Sequence, residues 1–302
     1  MTRAPAPFPL ERLADIPERS EDFRLLERIP LTREPQSWPL ELSPIVGDEQ
    51  PMVLLDTETT GLSADDESII ELGMVKVLYS PSAMRIVSIV DVISLYEDPG
   101  KPIPELITEL TGITDDMVQG QRIDDAIVAS WLSDDPLVVA HNAQFDRPFF
   151  EKRFAALGHL SWVCSASGID WKALGFESRK LEYLLLRLGW FYEGHRAATD
   201  CLAMAWLFHL LPESVANLLS EADRRTVLVR AFGAPFDVKD YLKERGYRWH
   251  DGVKGANKHW WREISEDELP QEQTYLDDLY HRGSEHAHYD YKDARNRFKA
   301  LS

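Results

Sequence analysis

The stretch Val-Leu-Leu-Asp-Thr-Glu-Thr-Thr-Gly-Leu at residues 53–62 constrains the fold more than any other part of the chain. Met52 to Leu55 is a short apolar run of the kind that forms a buried strand. Asp56 and Glu58 follow it and point the same way, because alternate residues of an extended chain share a face. Two carboxylates ~4 Å apart repel by about 4 kcal/mol at an effective dielectric constant of ~20. A Mg²⁺ or Mn²⁺ ion relieves such repulsion, and a solvated strand end is the alternative.

Two later segments place further acids in comparable settings. The apolar run at residues 137–140 predicts a second strand, followed by His-Asn-Ala-Gln-Phe-Asp, which ends at Asp146. Asp146 lies at the start of a predicted helix over residues 145–157, where an acid alone is explained by the helix dipole. Further on, His195 lies five residues before Asp200, which leads into a predicted apolar helix that ends at Leu211. Neither segment alone is strong evidence for a functional site. Their order along the chain and their strand or helix contexts make them informative.

Taken in order, the three segments resemble the three motifs of the DnaQ-like exonucleases, the DEDDh group named for four acids and a histidine. That family includes the proofreading subunit of bacterial DNA polymerase III. The segments are Asp-Thr-Glu-Thr-Thr-Gly (56–61), His-Asn-Ala-Gln-Phe-Asp (141–146) and Gly-His-Arg-Ala-Ala-Thr-Asp (194–200). The resemblance covers residues 49–212 and implies an α/β, ribonuclease-H-like fold with a five-stranded mixed sheet flanked by helices.

The resemblance also implies a two-metal site for 3′→5′ hydrolysis that releases nucleoside 5′-monophosphates. Asp56 would bridge two Mg²⁺ or Mn²⁺ ions ~3.5–4 Å apart. Glu58 and Asp200 would complete the shell of the ion that holds the attacking water, and Asp146 would support the other. His195 would remove a proton from the water, a task suited to a group that titrates near neutral pH.

Four residues near the motifs are predicted to bind the substrate. Thr57, Thr59 and Leu62 lie where the family holds the terminal nucleotide. Asn142 is placed to bond the sugar or to orient Asp146. Ordinary turn chemistry is the alternative for these positions, since Thr, Gly and Asn are common turn residues.

Composition limits the classes of protein that remain. No run of about 18 apolar residues is present, so no membrane-spanning helix is predicted. The first residues lack the apolar core of a signal peptide, and the two cysteines, Cys164 and Cys201, are isolated, so we expect a reducing cytoplasm. The net charge of −18 argues against a tight nonspecific DNA coat protein, because affinity for phosphates comes largely from Lys and Arg.

The chain divides into three predicted regions. Residues 1–48 are an extension rich in proline and charge, expected to pack on the core or on a partner, with a disordered tail as the alternative. Residues 49–215 are the exonuclease domain. Residues 223–302 are a small α+β module of unknown role, with a helix over 238–245, two strands around an Asp251-Gly252 turn and a closing helix over 266–280. Residues 223–262 carry 10 Lys+Arg against 5 Asp+Glu, a net charge of +5.

Aromatic and basic residues alternate in this module. Tyr247, Trp249, Trp260 and Trp261 are interleaved with cations, a pattern that suits stacking on unpaired bases and contact with phosphates. The cations are Arg245, Arg248, Lys254 and Lys258. A small core filled by aromatic side chains is the alternative.

The leading hypothesis is a metal-dependent 3′→5′ exonuclease acting on DNA, at single-stranded or frayed 3′ ends, in repair, proofreading or turnover. The opening motif resembles the DNA-acting members more than the oligoribonuclease branch, and an exoribonuclease is the alternative. A different class is a binding module that docks a polymerase or repair protein through the N-terminal extension or the C-terminal module. All five motif residues are present, which argues against a dead site. A generic Mg²⁺-dependent phosphatase explains the three ordered motifs less well.

Overall fold

The chain folds into two units, each with its own core. The computed structural model describes residues 10–33, 36–252 and 257–300. The first unit extends to Glu221 and includes Phe298, and the second is Ala222–Arg297. The remaining parts of the predicted N-terminal extension and C-terminal module, including Lys254, lie outside the described residues.

The first unit alternates strands and helices. Its described strands are β1 (Glu27–Arg28), β2 (Leu40–Glu41), β3 (Gln50–Thr59), β4 (Ile69–Ser80), β5 (Arg85–Tyr96), β6 (Leu137–Ala140), β7 (Trp162–Cys164) and β8 (Trp190–Phe191). Its helices, the last of which continues to Asp223, are α1 (Asp15–Glu18), α2 (Glu105–Thr111), α3 (Asp115–Val118), α4 (Asp125–Trp131), α5 (Ala143–Arg153), α6 (Leu181–Arg187), α7 (Ala197–Leu210) and α8 (Pro212–Asp223). Among the described residues, no single helix is both long enough and apolar enough to span a membrane. Helices α7 and α8 meet both criteria only when taken together, and they are bent by 107° relative to each other.

The main sheet is mixed and has the strand order β2-β5-β4-β3-β6-β7. The neighbouring pairs β2–β5, β5–β4 and β4–β3 are antiparallel. The pairs β3–β6 and β6–β7 are parallel. This is the predicted α/β ribonuclease-H-like architecture, but the prediction of five strands was wrong by one. The additional strand is β2, a two-residue segment of the N-terminal extension that pairs with the edge of β5. Such a short strand carries no period-2 pattern, so its sequence does not predict it.

Both faces of β3 are covered, as its continuous apolar run requires. Val53 and Leu55 belong to a core that includes Phe149 and Phe150 of α5. Met52 and Leu54 alternate with them and are fully buried as well. Helix α7 lies across β3, β4 and β5. The end of β3 therefore lies between two helices.

The second unit is a four-stranded antiparallel sheet with helices. Its described strands, in the order β10-β11-β9-β12, are β9 (Thr226–Ala231), β10 (Arg248–His250), β11 (His259–Ser265) and β12 (Ala287–Lys292). Its helices are α9 (Lys239–Glu244), α10 (Leu269–Leu279) and α11 (Gly283–His286). The predicted pair of strands is present as β10 and β11. Strands β9 and β12 were not predicted, although β9 forms the centre of the sheet between β11 and β12.

A buried acid ties the second unit together. Glu272 of α10 is almost fully buried and accepts hydrogen bonds from Arg245 (3.1 Å), Arg262 (2.9 Å) and the hydroxyl of Tyr247 (2.9 Å). Because a buried carboxylate is costly without such partners, this cluster specifies how α10 sits on its own sheet.

Candidate active site

Three of the predicted acids meet where β3 approaches α7. Asp56 and Glu58 leave the same face of β3 because they are two residues apart. Asp200 comes from the first turn of α7. One carboxylate oxygen from each of the three lies within 4.8 Å of the other two. The sequence thus brings together acids separated by more than a hundred residues.

Burial and mutual repulsion make this cluster electrostatically unfavourable alone. Burial, followed by repulsion from the neighbouring acids, holds the pKa of Asp56 well above its usual value. The same causes raise the pKa of Glu58 to about 8. Burial also raises the pKa of Asp200. Clustered carboxylate oxygens with few neutralising partners are the donor set that Mg²⁺ and Mn²⁺ prefer, so the residues fit a divalent cation.

Asp146 approaches the cluster from the opposite side of β3. It lies on α5, is buried, and its Oδ1 accepts hydrogen bonds from the amide (3.1 Å) and hydroxyl (2.8 Å) of Thr57. Thr57 lies between Asp56 and Glu58 and therefore faces the other way. Burial raises the pKa of Asp146 to about 7, against the effect of the Thr57 hydrogen bonds. Repulsion from Asp146 contributes to the raised pKa of Asp56, so all four acids share one electrostatic environment.

His195 lies in the connection between β8 and α7, next to the helix that carries Asp200. Its side chain is exposed and its φ of 65° places the backbone in the left-handed region, which is uncommon for a residue other than glycine. The next residue, Arg196, donates its amide to Oδ2 of Asp200 (3.1 Å). Tyr192 donates its hydroxyl to Oδ1 of Asp200 (2.9 Å). Both oxygens of Asp200 are thus held by the segment that presents His195.

The predicted substrate-binding residues have different environments. The hydroxyl of Thr59 donates to the carbonyl of Gly61 (2.6 Å), as the turn alternative requires, and that of Thr57 is bonded to Asp146. Leu62 is 89% exposed. The side chain of Asn142 is exposed, and its carbonyl accepts the amide of Phe145 (2.7 Å) at the start of α5. Contact of these residues with a nucleotide stays a prediction.

The profile of the RNase_T exonuclease family matches residues 53–208. That range is more than half of the chain and contains the four acids and the histidine. The chain belongs to this exonuclease family. The resemblance to DnaQ-like exonucleases is confirmed, and residues 53–208 form an exonuclease-family domain. Exonucleases of this family generally use divalent metal ions, in agreement with the carboxylate cluster.

The sequence relatives of this exonuclease domain are much longer proteins. The chain is 35% identical over 170 residues to DNA polymerase III PolC-type from Bacillus subtilis, covering 53% of this chain and 11% of the polymerase. It is 30% identical over 191 residues to the PolC-type polymerase of Thermotoga maritima, covering 57% of this chain and 13% of that one. The chain therefore spans about a tenth of the length of these relatives.

Solved structures similar to the exonuclease domain include two nucleases with bound nucleic acid or nucleotide. One is Exonuclease X in complex with 5′ overhanging duplex DNA, with a TM-score of 0.41 and 23% identity over 55% of this chain and 91% of that one. The other is the nuclease domain of 3′hExo, a DEDDh family member, bound to rAMP. Its TM-score is 0.43, with 18% identity over 56% of this chain and 94% of that one.

Sequence reasoning missed an ion pair between the buried Glu71 and the partly exposed Arg196, which fixes the start of α7 in this exonuclease domain. The guanidinium of Arg196 donates to both oxygens of Glu71 (3.0 and 3.3 Å) and also to the hydroxyl of Tyr96. Glu71 in addition accepts the amide of Ala197 (3.2 Å). An acid inside the apolar run at residues 69–72 was the available signal, because a buried carboxylate requires a cationic or hydrogen-bonding partner.

Proposed function

We propose that this protein is a metal-dependent 3′→5′ exodeoxyribonuclease that hydrolyses terminal phosphodiester bonds at single-stranded or frayed 3′ ends of DNA. Its products would be nucleoside 5′-monophosphates. The observation that carries the proposal is the convergence of Asp56, Glu58 and Asp200, with ligand oxygens within 4.8 Å of one another, beside Asp146 and the exposed His195. A phosphatase would need no such ordered set of motifs.

Each residue of the site has a stated task in this proposal. Asp56, Glu58 and Asp200 would hold one divalent ion, and Asp146 would support a second. When bound, two divalent cations stabilise the entering and leaving oxygens of an in-line displacement at phosphorus. A ring nitrogen of His195 takes the proton of the attacking water. The hydrogen bonds to Asp146 and Asp200 described above keep these carboxylates oriented, so that little reorganisation is needed during the reaction.

The choice of DNA rests on two supports. The motif at residues 56–61 resembles the DNA-acting members of the family, and the PolC-type relatives are named as DNA polymerases. Proofreading beside a polymerase, repair and turnover are the roles that this activity would serve. A polymerase or repair protein would then contact the N-terminal extension or the C-terminal module.

The test is digestion of 5′-labelled single-stranded DNA and of matched RNA with Mg²⁺ or Mn²⁺. We expect a ladder that shortens from the 3′ end of the DNA and is abolished by EDTA. Asp56→Ala should lower the rate by orders of magnitude, because it removes the acid central to the cluster, while the circular dichroism spectrum stays unchanged. Asp65→Ala, which removes an exposed acid from the loop after β3, is the matched control and should cleave normally.

Three results would contradict the proposal. Folded Asp56→Ala protein that keeps most of its activity would remove the assigned site. Digestion of RNA alone would replace the exodeoxyribonuclease with an exoribonuclease. Absence of cleavage of either strand by the folded, metal-supplied protein would favour a binding module.

A further inference from the structure

The aromatic residues of the second unit serve two different purposes. Tyr247 and Trp260 are buried in its core, and Tyr247 bonds the buried Glu272. The core-filling alternative is therefore sufficient for these two residues. Trp249 is different, because it is 51% exposed although its ring lies 5.2 Å from that of Trp260. Its exposed face needs another explanation.

Trp249 lines an open cavity of about 570 Å³, whose described lining residues all belong to the second unit. Phe236, which is 80% exposed, and the buried Trp260 line it too, together with Lys239 and Lys243. The ammonium of Lys239 lies 3.7 Å from the centre of the Phe236 ring, so this lysine is held at the edge of the cavity. Among the described residues, none that lines the cavity is acidic.

These features match the chemistry of an unpaired nucleotide. Cavities of ~300–1,000 Å³ are typical of small-ligand sites, and exposed aromatic rings beside cations are how proteins hold single strands, by stacking on bases and contacting phosphates. The segment around the cavity, residues 223–262, has a net charge of +5 in a chain whose net charge is −18. This stretch of chain is thus less repulsive to a phosphate chain than the rest of the protein, although Nζ of Lys243 also lies 3.7 Å from Oδ1 of Asp240.

We infer that this cavity binds an unpaired base of single-stranded nucleic acid, with Trp249 as the stacking platform and Lys239 and Lys243 in contact with the flanking phosphates. This rests on the proposed function, since an exonuclease must hold the strand that it shortens. A proline-rich peptide also packs on exposed aromatic rings. It has no anionic groups for the two lysines, so the nucleic acid is the better fit.

The experiment is fluorescence anisotropy of a 5′-fluorescein-labelled oligothymidylate titrated with the 302-residue chain in EDTA, where no hydrolysis occurs. We expect Trp249→Ala to weaken binding about tenfold, which is about 1.4 kcal/mol, and Trp249→Phe to retain most of the affinity because it keeps a ring. The double variant Lys239→Gln, Lys243→Gln should weaken binding about tenfold as well.

Matched controls come from the opposite edge of the same sheet. Tyr291 is 54% exposed and lies on β12, separated from β10 by two strands. Tyr291→Ala and Lys292→Gln should therefore bind like the unmodified protein. Circular dichroism establishes that every variant is folded.

Two results would overturn the inference. One is equal affinity of folded Trp249→Ala and Tyr291→Ala for the oligonucleotide. The other is binding of a labelled proline-rich peptide, lost in Trp249→Ala, by protein that does not bind the oligonucleotide. The anisotropy measurement involves no hydrolysis, so its outcome does not depend on whether the exonuclease assay succeeds. If the enzyme is active but either of these two results is obtained, the proposed base-binding cavity is contradicted while the exonuclease activity is not.

Discussion

Consecutive side chains at the end of β3 reach two different helices. Asp56 and Glu58 face Asp200 of α7, whereas Thr57 faces Asp146 of α5. Because successive side chains of a strand point to opposite faces, this one short segment contacts acids on both sides of the site. Thr57 links the two sides without contributing a charge.

Thr57→Val is expected to lower kcat/KM while leaving the fold in place. Valine has the same shape but cannot donate the 2.8 Å hydrogen bond to Asp146. A hydrogen bond to a charged group contributes about 1.5–3 kcal/mol, so the expected loss is roughly 10- to 150-fold. Thr57→Ser keeps the hydroxyl and should stay close to the original rate. Equal rates for the two variants would mean that the hydroxyl does not orient Asp146.

Glu58 predicts how the stability of the metal-stripped protein depends on pH. The pKa of Glu58 is raised from 4.5 to about 8, first by burial and then by repulsion from Asp200. The folded state thus binds this proton more tightly than the unfolded chain does. The resulting stabilisation is fully present below a pH of about 4.5 and is lost as the pH rises through about 8.

Thermal unfolding in EDTA across this pH range measures the effect. Glu58→Gln should make the decline of the melting temperature with rising pH shallower, because glutamine does not titrate. Glu105→Gln, at an exposed acid at the start of α2, is the control and should leave the decline as it was. A decline equally steep in both variants would contradict the assignment.

The contact between β4 and α7 determines where Asp200 lies. Gly73 of β4 pairs with Asp56 across the sheet, and a Cβ there would lie 2.2 Å from the carbonyl carbon of Ala197. Real atoms do not approach so closely, so only glycine allows α7 to begin at this place. The ion pair of Glu71 and Arg196 holds the same helix end.

Gly73→Ala should therefore displace α7 and Asp200 together. Overpacking of this kind costs about 1–3 kcal/mol or more, and a catalytic group misplaced by about 1 Å lowers the rate roughly 100-fold. Gly158→Ala is the matched control, because a Cβ there meets nothing closer than 3.4 Å. Thermal unfolding and the nuclease assay measure these effects. Equal melting temperatures and equal cleavage rates for the two alanine variants would contradict a role of Gly73 in placing α7.

Elements with strong local patterns could be predicted from the sequence, and elements defined by distant partners could not. The β-branched composition of the long strands β4 and β5 and the short apolar runs in β3 and β6 are typical of strands. Strand β1 consists of two residues and exists through pairing with β8, more than 150 residues away. In the second unit, β12 has the short sequence Ala-His-Tyr-Asp-Tyr-Lys. Ala287 and Tyr289 pack against the core of this unit, but the segment contains no β-branched residue that would mark it as a strand.

The site divides in the same way. The acids and the histidine were predictable because their spacing follows family motifs in a fixed order. Glu71, Tyr192 and Tyr96 lie outside those motifs and act through contacts that only the folded chain creates. Positioning residues of this kind leave a faint signal in one sequence, at most a charge within an apolar run.

Charge is unevenly divided over the whole molecule. The first unit with the residues that flank it, 1–221 and 298–302, carries 19 Lys+Arg against 36 Asp+Glu, a net charge of −17. The second unit, 222–297, carries 14 against 15, a net charge of −1. The acids that we propose as metal ligands thus lie in a strongly negative unit, which would repel a phosphate chain until divalent cations are bound.

The affinity of the 302-residue chain for single strands should therefore depend only weakly on salt. Each phosphate contact with a cation adds a slope of about −0.7 to a plot of log K against log salt concentration. If Lys239 and Lys243 supply the main contacts, the slope is about −1.4, and binding weakens roughly sevenfold between about 50 and about 200 mM salt. Anisotropy titrations in EDTA at several salt concentrations measure this slope. The double variant Lys239→Gln, Lys243→Gln should flatten it toward zero, and Lys292→Gln should leave it unchanged. A slope of about −5 or steeper would require many more phosphate contacts than this cavity offers, and the strand would then have to be held by another basic surface.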